Sequence, residues 1–233
     1  MIYLFWILLF LVIYSYAVYP VLLYVFGYLF GKNRKKLPSP DPEQLPEITL
    51  LVTAFNEQDF VDEKIRNSKN LKYPSDKLTL LWVTDGSNDG TPEKVAAYPH
   101  VKLMHEDARR GKIHAMNRAA QAVDSDIIVF CDANTFLTED TLINIARHFQ
   151  DPKIGCVAGE KQIIKDSNSA AGAGEGAYWK YESTIKKLDY RFNTTLGAAG
   201  ELFAVRKKLY EPVESDTVLD DFIISLRIAA QGY

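Results

Sequence analysis

The residues with the clearest chemical potential in this chain are acidic side chains that follow apolar, strand-like runs. Asp85 follows one such run and Asp132 follows another. An aspartate at the carboxyl end of a buried parallel strand is held rigidly and faces the crevice in which open α/β sheets bind ligands. A third acidic site, the pair Asp220 and Asp221, lies at the start of a later predicted helix. Together these carboxylates predict a site for a ligand rich in hydroxyl and phosphate groups.

Each of the first two aspartates has a chemical and a purely structural interpretation. Asp132 and Asn134 place two oxygen-bearing side chains on one side of an extended segment, because Ala133 points away. Such a pair suits a hard divalent cation, Mg²⁺ or Mn²⁺, that bridges to diphosphate oxygens. A strand-end aspartate followed by an asparagine turn is the alternative. Asp85 suits an N–H of a base or a ribose hydroxyl, whereas Asp-Gly-Ser is also an ordinary turn sequence.

A basic run and an acidic pair each precede or open a predicted helix. Residues 109–112 read Arg-Arg-Gly-Lys, and Lys112 with the free N–H groups of the helix suits a phosphate. The alternative is a solvated charged face. Asp220 and Asp221 suit a general base, since a helix N-terminus favours the ionised carboxylate. Capping by the same residues is the alternative, and one of them can cap while the other acts.

The elements that must position these residues alternate between strands and helices. Strands are predicted at 48–55, 78–84, 101–105, 126–131 and 154–158, with helices at 57–71, after Pro92, at 112–123 and at 139–149. This alternation predicts an α/β fold with a mainly parallel sheet flanked by helices on both faces. After Gly159 we predict a loop at 167–176, a helix at 177–190, a strand at 201–205 and a helix from Asp220 to Gly232. Trp179 on the first of these helices is a core residue or a sugar-stacking residue.

The first 31 residues contain no charged side chain and are long enough for one transmembrane helix. A basic cluster at 32–36 follows and predicts that this flank, and the catalytic domain after it, lie on the cytoplasmic side of the cell (plasma) membrane. A cleaved signal peptide needs a basic start and a shorter apolar run. The predicted organisation is a membrane helix at 1–31, a basic and proline-rich linker at 32–47 and a catalytic domain at 48–233.

Composition excludes several other classes of protein. The formal net charge is −3, which argues against a dedicated nucleic-acid binder. The two cysteines and four histidines show no zinc-site spacing, and neither a Walker A sequence nor a Rossmann glycine fingerprint is present. The chain stops at Tyr233, directly after a glycine that is typical of a helix end, and we expect a truncated C-terminus.

The ordered set of short motifs resembles the family 2 glycosyltransferases, which have a GT-A fold. The resemblance is closest to the membrane-bound branch that includes poly-N-acetylglucosamine, hyaluronan and cellulose synthases. It extends over essentially all of the chain after the linker. The matching segments are 52–57 (Val-Thr-Ala-Phe-Asn-Glu), 83–91 (Val-Thr-Asp-Gly-Ser-Asn-Asp-Gly-Thr), 111–117 (Gly-Lys-Ile-His-Ala-Met-Asn), 132–134 (Asp-Ala-Asn), 197–200 (Gly-Ala-Ala-Gly) and 219–222 (Leu-Asp-Asp-Phe).

The resemblance implies an inverting transfer of a sugar from a nucleotide donor, usually a UDP-sugar, to a hydroxyl of a glycan or lipid-linked acceptor. It implies these roles: nucleoside binding by Glu57 and Asp85, donor nucleotide binding by Lys112, metal and diphosphate binding by Asp132 with Asn134, general base by Asp221 beside Asp220, and an acceptor or sugar region at Gly200 and Glu201. A divalent ion and Lys112 would stabilise charge on the leaving diphosphate.

Two departures from the family pattern stand out. The metal motif commonly ends in a second aspartate, and here Asn134 offers a neutral, weaker ligand. Processive members also carry a Gln-x-x-Arg-Trp motif and further membrane helices, which would follow the last residue of this chain. A nucleotidyltransferase and a truncated, non-catalytic nucleotide-sugar binding module are the alternative functions.

Overall fold

The computed structural model of the chain describes residues 1–31, 37–162, 170–192, 195 and 197–233, which form two compact units. The helical unit comprises Met1–Lys36 and Glu160–Leu196, and the sheet unit comprises Leu37–Gly159 and Gly197–Tyr233. The basic cluster at 32–36 and the first part of the predicted loop at 167–176 lie outside the described residues. The predicted domain boundaries remain predictions.

The helical unit contains an apolar helix that is long enough to cross a membrane. It runs over Ile2–Leu29 with a mean hydropathy of 2.1 in its most apolar window. The helix consists of α1 (Ile2–Ile13), a π-helical turn (Tyr14–Val18) and α2 (Tyr19–Leu29). The π-helical turn ends two residues before Pro20, whose ring and missing N–H disturb regular α-helical bonding.

The helical unit also contains α7 (Ala170–Phe192), which is longer than the predicted helix. Residues 170–176 are helical, so the predicted loop is wrong over that part. Alanines alternate with the glycines in this stretch, and alanine favours helix strongly enough for an existing helix to extend through it. Two tyrosines join α7 to the apolar helix: Tyr181 donates to the main-chain oxygen of Tyr16 at 2.9 Å, and Tyr19 donates to Asp189 at 3.0 Å.

The sheet unit contains a six-stranded sheet with the order β3-β2-β1-β4-β6-β5. The strands are β1 (Ile48–Ala54), β2 (Leu78–Asp85), β3 (Lys102–Glu106), β4 (Ile127–Asp132), β5 (Cys156–Ala158) and β6 (Leu202–Arg206). β1 to β4 pair in parallel, whereas β6 runs antiparallel to β4 and β5. The prediction of a mainly parallel sheet is therefore confirmed.

Helices cover both faces of the sheet, as predicted. The helices of this unit are α3 (Val61–Lys69), α4 (Thr91–Ala96), α5 (Lys112–Gln121), α6 (Thr141–His148) and α8 (Asp220–Ala230). Side chains alternate along each strand. Leu50 therefore packs in the core cluster with α3, α4 and α6, while Leu51 packs in the cluster with α5 and α8.

β5 begins two residues later than predicted because its first residues bond to a side chain. Arg206 on β6 donates from Nε to the oxygen of Ile154 at 2.7 Å, and from Nη2 to the oxygens of Phe149 and Asp151. The guanidinium group thus supplies a partner to the carbonyl of Phe149 at the end of α6 and joins β6 to the loop before β5.

Candidate active site

Five of the predicted site residues come together at the carboxyl ends of β1, β2 and β4, namely Glu57, Asp85, Lys112, Asp132 and Asn134. The register pairs Thr53 of β1 with Val83 on one side and with Asp132 on the other, so these strands end side by side. They open onto a pocket of about 250 Å³. The pocket is lined by Thr53, Ala54, Phe55, Glu57, Val83, Asp85, Arg109, Gly111, Lys112, Ala115, Asp132, Ala133 and Asn134.

Only one of the two carboxylate oxygens of Asp85 has hydrogen-bond partners among the described residues. The residue ends β2 and is 4% exposed. Its Oδ2 accepts from the main-chain N–H groups of Arg110 at 2.8 Å and Gly111 at 2.6 Å, directly before α5. Gly111 has a φ of 101°, which residues with a side chain rarely adopt. Glycine therefore suits the position from which this N–H reaches the carboxylate. Oδ1 is buried and has no hydrogen-bond partner among the described residues.

Glu106, to which the sequence analysis gave no role, and His114, from the matching segment 111–117, lie beside Asp85. His114 Nδ1 lies 3.9 Å from Oδ1 of Asp85 and 3.8 Å from Oε2 of Glu106. These three atoms lie within 4.8 Å of one another and could hold a metal ion by geometry alone. However, Glu106 also lies 3.4 Å from Nε of Arg118 and 3.8 Å from Nε of Arg110. Two guanidinium groups already balance the carboxylates, which disfavours a divalent cation there.

Glu57 is positioned by contacts between the loops that follow β1 and β2. Its N–H donates to Thr91 Oγ1 at 3.0 Å, and the N–H of Gln58 donates to Asp89 Oδ2 at 3.0 Å. The side-chain amide of Asn56 donates to Asn88 Oδ1 at 3.1 Å and accepts from the main-chain N–H of Asn88 at 3.0 Å. Burial raises the pKa of Glu57, and the charges of Asp132 and Asp89 raise it further. Glu57 therefore carries a carboxyl group at the pocket that holds its proton more tightly than a solvated one.

The basic run at 109–112 divides into three separate contacts. The guanidinium carbon of Arg109 lies 3.8 Å from the centre of the Phe55 ring, a cation–π pair at the pocket. Arg110 turns its side chain towards Glu106. Lys112, the first residue of α5, enters the pocket. All three basic residues are nevertheless exposed.

Lys112 connects the metal motif to the segment before β6. Its Nζ donates to Asp132 Oδ1 at 2.7 Å and to the main-chain oxygen of Gly200 at 3.4 Å. Burial alone would lower the pKa of Lys112, but the adjacent Asp132 and the more distant Asp220 and Asp221 raise it overall. The ammonium group is therefore firmly charged at neutral pH, as binding of a diphosphate requires.

Asp132 and Asn134 both line the pocket. The N–H of Thr135 donates to the oxygen of Asp132 at 3.2 Å and closes a turn in which Ala133 is 1% exposed. One carboxylate and one amide oxygen fit Mg²⁺ or Mn²⁺, because such ions take a few protein oxygens and complete their shell with water and substrate phosphates. The N–H of Asp132 donates to the oxygen of Glu201 at 3.2 Å, so this turn also touches the segment before β6.

The acidic pair lies at the first turn of α8, as predicted. A Cβ atom added to Gly200 would lie 3.3 Å from Oδ2 of Asp221, so the absence of a side chain at Gly200 leaves room over this carboxylate. Burial raises the pKa of Asp221, and the charge of Asp220 raises it further against the lowering effects of local N–H groups and Lys112. Oδ2 of Asp220 is buried and has no hydrogen-bond partner among the described residues.

Trp179 belongs to a different part of the molecule from the other predicted site residues. It lies on α7 in the helical unit, and Nζ of Lys161 lies 4.4 Å from the centre of its ring. The ring is half-buried. Its predicted contact with sugar remains a prediction.

Known proteins resemble the chain in sequence. The profile described as glycosyl transferase family 2 matches residues 49–213. A poly-beta-1,6-N-acetyl-D-glucosamine synthase of Staphylococcus aureus is 26% identical over 215 residues, which cover 88% of this chain and 50% of that protein. A beta-monoglucosyldiacylglycerol synthase of Trichormus variabilis is 29% identical over 200 residues, covering 79% of this chain and 41% of that protein. The chain thus spans half the length, or less, of these two curated relatives.

A solved structure resembles the chain in fold. The mannosyltransferase PcManGT of Pyrobaculum calidifontis, in complex with GDP-Man and Mn²⁺, matches with a TM-score of 0.76 and 27% sequence identity. The match covers 94% of this chain and 62% of that one. That protein binds a nucleotide sugar and a divalent metal together.

Proposed function

Because the chain belongs to glycosyltransferase family 2, we propose that it transfers a sugar from a UDP-sugar to a hydroxyl of a glycan or lipid-linked acceptor, with inversion at the anomeric carbon. The observation that carries this proposal is the position of Lys112. Its ammonium group touches the metal motif at Asp132 and the main chain of Gly200, and Gly200 lies against Asp221. Gly200 thus contacts both Lys112, the cation proposed for the diphosphate, and Asp221, the base proposed for the acceptor.

Each of these residues has its own role in the proposed reaction. Asp221 accepts the proton of the acceptor hydroxyl as that oxygen attacks the anomeric carbon and the bond to the diphosphate breaks. Lys112 stabilises the negative charge that the leaving diphosphate gains. Asp132 and Asn134 would hold a divalent ion, which supplies further positive charge to the diphosphate when bound. Asp220 lies beside the base, where its charge helps to keep the pKa of Asp221 raised.

The hydrogen bonds of Asp85 favour uridine over guanosine as the nucleoside. Oδ2 accepts from two main-chain N–H groups, and Oδ1 is a buried oxygen without a hydrogen-bond partner among the described residues. Uracil offers one ring N–H on its pairing edge, which matches one unpartnered oxygen. Guanine offers a ring N–H and an amino group side by side, which a carboxylate satisfies best with both oxygens. Calorimetry should therefore give tighter binding of UDP than of GDP, and equal affinities would contradict the choice of uridine.

Product analysis tests the reaction itself. The full chain in detergent, with Mn²⁺, is incubated with a panel of UDP-sugars and with glycan and diacylglycerol acceptors. We expect release of UDP together with a glycosylated product. Release of pyrophosphate would instead indicate a nucleotidyltransferase. Binding of UDP without turnover of any donor would indicate a non-catalytic module.

Converting Asn134 to aspartate is expected to strengthen the binding of Mn²⁺ in the presence of UDP about tenfold, because a charged ligand replaces a neutral amide oxygen. Titration of Mn²⁺ against UDP-loaded protein measures the change. Asn134→Ala is the matched control and should weaken the same binding. An unchanged affinity in both variants would show that residue 134 is not a ligand.

The proposed setting is a membrane with the catalytic domain on its cytoplasmic side. The apolar helix Ile2–Leu29 supports an anchor by its length and composition, and the basic sequence at 32–36 supports the orientation. In this proposal residues 1–31 form the membrane helix, 32–47 the linker and 48–233 the catalytic domain. Protease treatment of sealed vesicles tests this orientation. Residues 48–233 should be protected in right-side-out vesicles and cleaved in inside-out vesicles.

A further inference from the structure

Lys64 is fully buried beneath the turn that carries Asp132 and Asn134. Its relative exposure is 0%, although it lies on the largely charged helix α3. Its Nζ donates to the sulfur of Cys131 at 3.0 Å and to the main-chain oxygen of Thr135. These two partners flank the turn, one residue before Asp132 and one residue after Asn134. A single ammonium group therefore holds both ends of the predicted metal motif.

Stability alone gives little reason for a lysine at this position. Within the described part of the chain its hydrogen-bond partners are a thiol and a carbonyl, both uncharged. Burying an ammonium group without a counter-ion costs free energy that an apolar side chain of the same length would avoid.

We propose that Lys64 is a positioning residue for the metal and diphosphate site. By tying the carbonyl of Thr135 to the end of β4, it fixes the spacing at which Asp132 and Asn134 present their oxygens to the pocket. Groups behind metal ligands commonly act in this way, through the orientation of the ligand. This inference rests on the proposed function of the turn, but it makes a separate statement about what holds the turn in shape.

The same helix offers a matched control. Asn67 lies three residues after Lys64 on α3 and also bonds to the segment that follows β4. Its side chain donates to the oxygen of Leu137 at 2.8 Å and accepts from the N–H of Leu137 at 2.9 Å. Asn67 therefore anchors the same segment beyond the metal motif. A change at Asn67 disturbs the contact between α3 and this segment without releasing the turn.

The test compares Lys64→Met with Asn67→Leu in the full chain in detergent. For Lys64→Met we expect Mn²⁺–UDP affinity to fall about 10- to 100-fold, with faster hydrogen exchange in the peptide that covers residues 131–135. Binding of UDP without metal should stay within about twofold, because Asp85 and its N–H partners are untouched. Asn67→Leu should speed exchange around Leu137 and leave Mn²⁺–UDP affinity within the same twofold range.

Wild-type affinity of Lys64→Met for Mn²⁺–UDP would overturn the proposal, whatever the exchange rate. If Lys64→Met does not fold, Lys64→Gln, which keeps a shorter donor, is measured instead, and the same outcome decides. A failure of the proposed function looks different. The unaltered chain would then bind UDP equally well with and without Mn²⁺, and the exchange rates alone would show whether Lys64 holds the turn.

Discussion

Replacing Asp221 with asparagine is expected to slow sugar transfer about a thousandfold while UDP binding persists. Asparagine has nearly the same shape but does not accept the hydroxyl proton. The variant should also fold. The pKa of Asp221 is raised by burial in the folded chain, so its ionised form costs stability at neutral pH, and a neutral side chain removes that cost. Single-turnover transfer and calorimetry with UDP measure the two properties separately.

The pH dependence of transfer follows from the same shift. Transfer needs ionised Asp221, and its pKa lies above the ordinary aspartate value of about 3.9. The rate should therefore fall on acidification at a higher pH than an exposed aspartate would give. In Asp221→Asn this acidic limb of the kcat/KM profile should disappear from the residual rate.

Asp216→Asn provides the surface control, since Asp216 is exposed in the segment that precedes α8. This variant should transfer sugar at the wild-type rate. A rate within about tenfold of wild type in Asp221→Asn would reject Asp221 as the base, because loss of a general base costs at least about a hundredfold. Asp220 would then be the next residue to test.

The family and the GT-A type fold were predictable because their signals are local and ordered along the chain. Apolar runs that end in Asp85 and Asp132 specify parallel strands with carboxylates at one edge. The antiparallel position of β6 was not predictable in this way. It depends on the pairing of Phe130 with Phe203 across two strands that are distant in sequence.

The residues that sequence analysis missed are those whose environment is made by distant segments. Lys64 lies within Val-Asp-Glu-Lys-Ile-Arg, a pattern typical of a solvated helix face. It is buried only because the turn after β4 folds over it. Glu106 has no motif of its own, and His114 lies in the matching segment 111–117 without an assigned role. The two residues meet Asp85 because β3 pairs with β2 and α5 starts beside it. The apolar residue next to Lys64, Ile65, stands between two charged residues, and this pattern does not indicate that Lys64 is buried.

Asp132→Asn is expected to lower sugar transfer by about two to three orders of magnitude, with a much weaker dependence on Mn²⁺. The substitution removes the charged metal ligand and also the carboxylate that pairs with Lys112 at 2.7 Å. Lys112 then loses its main source of a raised pKa and the contact that orients it. Initial rates across a Mn²⁺ titration measure both effects.

The double variant Asp132→Asn with Asn134→Asp separates charge from position. It restores one carboxylate and one amide to the turn but exchanges their places. If the turn only needs to supply one negative charge to the metal, Mn²⁺ dependence should return while transfer recovers in part, because Lys112 no longer has its partner at residue 132. If the double variant stays as slow as Asp132→Asn at saturating Mn²⁺, the Lys112–Asp132 contact is the part that transfer requires. Full activity in the single Asp132→Asn variant would exclude both.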